Sequence, residues 1–79
     1  MTALTRAVQA ALAKAPCSAR ALAEAAGVPQ PVLWRIQAGE REATPAVARA
    51  VAGGLARWST ECRSAAARIE RQLAKAEAR

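Results

Sequence analysis

The segment Ser18–Arg41, SARALAEAAGVPQPVLWRIQAGER, decides the fold. Ala23, Gly27 and Leu33 carry the information: the glycine follows the alanine by four residues, and the leucine follows the glycine by six. Two short helices that cross steeply need a small residue on the first, where their axes approach. They need a residue tolerant of positive φ at the turn, and a branched apolar residue on the second to fill the angle between them. All three stand at those offsets here, and Leu22, Val28 and Ile36 add filling. Ser18 predicts the N-cap of the first helix of the pair and Gly27 its stop. The second helix is predicted from near Pro29 to Gly39. Pro29 and Pro31 then fall in its first turn, where a missing N–H costs little.

The flanks are helical as well, because alanine is abundant and β-branched and aromatic residues are few. A helix is predicted from about Ala3 to Ala15, with Thr2 as N-cap, Pro16 as its end, and Leu4, Val8, Ala11 and Leu12 on one stripe. Gly39–Ala43 reads as a polar loop. Thr44-Pro45 is a strong helix start, and from Pro45 a long helix is predicted to about Ala78. Gly53-Gly54 weakens it by roughly 1 kcal/mol per glycine relative to alanine, and Ser59-Thr60 offers the cap of a separate last helix. Val51, Leu55, Trp58, Cys62, Ala65, Ile69, then Gln72 or Leu73, and Ala76 recur at alternating spacings of four and three. That is the period of a coiled-coil seam. The expectation is an all-α chain with a helical head at 1–57 and a dimerisation extension at 58–79. Val51, Leu55, Trp58, Cys62, Ala65, Ile69 and Leu73 form the seam. The competing arrangement folds Cys62–Leu73 back onto the first helix.

Composition removes most catalytic chemistry. The 79 residues include no histidine, and the 12 basic against 6 acidic side chains give a formal charge of +6. Cys17 and Cys62 have neither zinc-finger nor disulfide-framework spacing; both read as small apolar fillers in a reducing cytoplasm. Cys17 precedes a helix start but has no neighbouring base. Glu40 and Glu42 flank Arg41 in the loop and read as solvated charges. The chain is therefore expected not to be an enzyme and to bind no metal, cofactor or small-molecule ligand. No apolar run approaches the ~20 residues of a membrane span, and the N-terminal segment is not of signal-peptide type. The positive balance favours nucleic acid or an anionic surface as partner.

A helix entering the major groove presents its N-terminal side chains to base edges. Gln30 stands there, with an amide that matches adenine N7 and N6. Arg35, five residues on, matches guanine O6 and N7. Pro31 and Val32 offer apolar contact to a thymine methyl. Trp34 covers backbone sugars and phosphate, or lies against a neighbouring helix. Ser18 and Ala19 at one helix start, Arg20, and Arg41 and Thr44 beyond the second helix are the phosphate-contacting candidates.

With Ala23, Gly27 and Leu33 set in ALAEAAGVPQPVLWRIQAGER, residues 4–57 resemble the Cro/phage-repressor-type (Xre-type) helix–turn–helix family. The resemblance implies a lambda-repressor-like bundle, usually of five helices and usually a dimeric transcriptional repressor. It matches the family's glutamine to Gln30, its second base-reading position to Arg35, its phosphate-contacting N-cap to Ser18, and its closing glycine and basic loop to Gly39 and Arg41. Two departures stand out. Pro29 replaces the usual Ser or Thr cap, and the fourth helix is extended, so that the C-terminal seam takes over dimerisation. The function expected is a cytoplasmic regulator in a bacterium or phage-infected cell, a small homodimeric repressor reading an inverted repeat in double-stranded DNA. The alternatives are a phage DNA-packaging module of the terminase small-subunit kind, which forms rings, and an antitoxin-like adaptor that uses Trp34 or Trp58.

Overall fold

A computed structural model describes residues 1–15 and 17–78. The described residues form four helices, α1 (Ala3–Lys14), α2 (Ala19–Ala26), α3 (Gln30–Gln37) and α4 (Pro45–Glu77), and no strand. Their ends follow from local chemistry. Thr2, Ser18 and Thr44 are extended, and each side chain accepts a hydrogen bond from the backbone N–H three residues on, at Thr5, Ala21 and Val47. These are the N-caps read from the sequence. The end assigned to Pro16 lies outside the described residues; α1 stops at Lys14, with Ala15 extended after it. Pro29 leaves α3 without a side-chain cap. Gly27 adopts φ +68° and ends α2, and its N–H and that of Val28 close back on Glu24 and Ala23. An L-residue with a side chain is strained in that conformation.

Leu22, Ala23, Leu33, Ile36, Val8, Ala43 and Val51 form one buried cluster, with Leu12, Cys17, Val28 and Leu55 packed around it. The α2–turn–α3 pair therefore supplies most of the core, with α1 and the start of α4 closing it. The stripe predicted on α1 is corrected at its start. Leu4 is exposed, and the residue turned inward is Thr5, fully buried. Cys17 is half-buried against the core, as a filler should be, but Cys62 is exposed.

Thr5 is buried because its hydroxyl is fully used. It accepts from the backbone N–H of Ala43 at 2.9 Å and donates to the Glu42 carboxylate. The Thr2 amide and hydroxyl also donate to Glu42, at 3.3 and 3.2 Å. Glu42 is thus no freely solvated charge: it fastens the start of α1 to the loop before α4. The Thr5 hydroxyl, and then the Thr2 amide, hold its carboxyl below the usual carboxylate range despite its exposure. A carboxyl whose folded pKa is depressed adds stability above its unfolded value and loses it as pH falls through the folded one. Thermal melts from pH 6 to pH 3 are expected to show a steeper acid-side loss for the wild type than for Glu42→Gln. Parallel curves would remove this clasp.

The helix predicted from Pro45 to about Ala78 is a single helix of 33 residues, continuous through Gly53, Gly54 and Ser59-Thr60. At 1.5 Å per residue it extends about 50 Å, which sets the long axis of a molecule measuring 57 × 19 × 17 Å. The distal half does not fold back: Ile69 and Leu73 are 70% and 54% exposed. Among the described residues no helix is long and apolar enough to cross a membrane.

Candidate nucleic-acid interface

The outward side of α3 is set by what its inward side must bury. Leu33 and Ile36 are essentially inaccessible, and at 100° per residue they leave a free arc on the opposite side. In angular order that arc carries Gln30, Trp34, Pro31 and Arg35, spread over about 140°. Gln30 is half-buried at one edge; Pro31, Trp34 and Arg35 are exposed. The structure therefore brings Gln30, Pro31 and Arg35 to one surface. Val32 is corrected: it is half-buried and packs on the core, so its methyls serve the fold. Trp34 is not buried against a neighbouring helix. It is 55% exposed and stands between Gln30 and Arg35 on the arc.

The surroundings favour anions. None of the four helices carries an acidic residue in its own first turn, although the Glu42 carboxylate sits at the start of α1. Ser18 and Thr44 are exposed at the starts of α2 and α4, and Ala19 is half-buried at the first position of α2. Arg41 is exposed in the α3–α4 loop. Arg20 is exposed and sits 3.7 Å from Glu24. A solvated pair of this kind contributes little, so the guanidinium can exchange Glu24 for a phosphate at small cost.

Two side chains missed in the sequence hold this surface in place. Gln9 on α1 donates through Nε2 to the Ile36 carbonyl at 2.8 Å, at the end of α3. Arg57 on α4 donates to the Ala25 carbonyl at the end of α2, through Nε at 3.2 Å and through Nη2. The Ile36 carbonyl also accepts the Gly39 N–H at 3.1 Å, so Gln9 fills its second lone pair, and both side chains bond carbonyls in the last turn of a helix.

The residues assigned to a dimer seam divide into two groups. Val51 is buried in the chain's own core, Leu55 packs on it, and Trp58 is half-buried beside Ala21 and Ala25 of α2. Val51 and Leu55 are thus corrected from interface to core residues, because α2 covers them. Cys62, Ala65, Ile69 and Leu73 remain exposed. The boundary at 57/58 lies inside a continuous helix, close to where α4 leaves α2. Among the described residues no cluster of side chains is suited to hold a metal ion. The chain matches no family model, no curated protein and no solved structure.

Proposed function

We propose that this chain is a sequence-specific double-stranded DNA-binding regulator of the lambda-repressor-like, helix–turn–helix kind. It acts as a homodimer that reads an inverted repeat. The observation that carries the reading is the outward arc of α3. An amide, an indole and a guanidinium are presented together on a short helix anchored by Leu33 and Ile36, directly after the turn at Gly27. A helix of this size fits the major groove, and amide and guanidinium groups match the edges of adenine and guanine. In this reading the exposed Ser18, Arg20, Arg41 and Thr44 supply the contacts to the flanking phosphates. The net charge of +6 favours that contact.

Random-site selection followed by gel shift tests the reading. An enriched inverted repeat is expected. Gln30→Ala and Arg35→Ala should each cost about 1–3 kcal/mol of discrimination at one position of the half-site. Arg41→Ala should instead weaken all sequences alike and lower the slope of log K against log salt by about one. Failure to enrich any sequence, or unchanged selectivity in both α3 variants, overturns the assignment.

A further inference from the structure

We infer that the distal half of α4 pairs with the same segment of a second copy in antiparallel orientation, placing the two heads at opposite ends of the pair. This specifies the partner geometry of the dimer proposed above, but does not depend on what α3 touches. Val51 and Ile69 are eighteen residues apart and point in the same direction on a straight helix. Cys62 and Leu73 lie within about 40° of them. The apolar face that α2 covers at Val51 and Gly54 therefore runs on, uncovered, through Cys62, Ile69 and Leu73. Most helical stability in proteins comes from packing an apolar face, and an exposed apolar stripe is normally buried against another element.

The position of the head selects the orientation. It packs on the same side of α4 that carries the stripe. In a parallel pair the stripes would face each other, and both heads would compete for the space between the helices at one level. In an antiparallel pair the heads lie at opposite ends, and only the last turn or so of each helix reaches the level of the other copy's head. Charge and size agree. The register that sets Ile69 opposite Ala65 of the second copy also sets Trp58 opposite Ala76 and Cys62 opposite Gln72. Each large side chain then meets a small one, and Glu61 flanks Lys75 on both sides of the dyad. Arg68 meets its own copy at the centre, a solvent-exposed repulsion. A parallel register places Glu61 beside Ala66 and Arg68 beside Leu73, with no opposite charges paired. The two Val51 residues would lie about 48 Å apart along the antiparallel pair, so the length of α4 sets the spacing of the heads.

Disulfide trapping of the full chain, without DNA, tests this in a Cys17→Ser background. Sedimentation should give a dimer. Oxidation should crosslink Gln72→Cys through Cys62 of the other copy, while chains with Cys62 alone stay uncrosslinked. Within one helix those two positions are about 15 Å apart, too far for an internal bond. Glu61→Lys or Lys75→Glu alone should raise the dissociation constant about threefold to tenfold, and the two together should restore it. Efficient crosslinking by Cys62 alone overturns the orientation. A monomer, or a ring of many copies, overturns the pairing itself. Neither result bears on base reading, which the α3 variants report separately.

Discussion

Ile36→Ala is expected to destabilise the head by about 2–5 kcal/mol, the usual cost of emptying a buried branched side chain. Ile36 is fully inaccessible. It anchors α3 to the core while its carbonyl takes the Gln9 amide. A domain of this size has roughly 5 kcal/mol of stability, near the lower end of the usual range. The variant should therefore keep only about 0–3 kcal/mol and melt well below the wild type. The distal half of α4 makes few tertiary contacts, so total helicity is a poor reporter of the head. Trp58 is half-buried against α2 and its fluorescence is the better probe. In a Trp34→Phe background, which leaves Trp58 the single tryptophan, urea melts should shift to a lower midpoint in Ile36→Ala and stay put in Gln37→Ala, whose side chain is exposed one residue away. Equal midpoints in wild type and Ile36→Ala would mean that α3 is not anchored as described. On the DNA-binding reading proposed above, binding should fall with the folded fraction, whereas Arg35→Ala should impair it at unchanged stability.

Legibility in the sequence followed the range of the interaction. The turn at Gly27 and the caps at Thr2, Ser18 and Thr44 involve partners three or four residues away, and residue type with spacing was enough to place them. Leu22, Leu33 and Ile36 were legible for the same reason: each lies on the inward side of a short helix whose phase the turn fixes. Thr5, Gln9 and Glu42 were not legible, because their partners lie 27 to 40 residues away and come close only after the helices pack. A threonine three residues before a valine looks like ordinary helix surface until Ala43 presents an N–H to it. Val51 and Leu55 were misassigned for a related reason. Periodicity gives the face of a helix but not what covers it, so one stripe read as one seam although α2 occupies its first part. On α3 the same wheel that placed Leu33 and Ile36 inward also turned Val32 toward the core, which spacing to a thymine methyl could not reveal.

Gly53 and Gly54, read together as a weakness in α4, are expected to respond to substitution with opposite sign. A Cβ on Gly53 would meet only the end of the Arg57 side chain, at 3.6 Å, an ordinary contact. Gly53→Ala should thus realise the helix-propensity gain of about 1 kcal/mol. A Cβ on Gly54 would come within 2.9 Å of both the Cα and the amide nitrogen of Ala26. Those are backbone atoms at the end of α2, and they cannot swing aside. Gly54→Ala gains the same propensity but forces α4 away from α2, an overpacking cost of about 1–3 kcal/mol or more. Gly54→Val, bulkier and a poorer helix former, should be the most damaging of the three. Moving α4 also pulls Arg57 from the Ala25 carbonyl and shifts Trp58 from its place beside α2, so fluorescence should register the displacement before the chain unfolds. The two alanine variants share backbone conformation and sequence neighbourhood, so their difference isolates the crossing contact. If both stabilise equally, α2 and α4 do not touch at Gly54, and the geometry that turns the arc of α3 outward loses its support on that side.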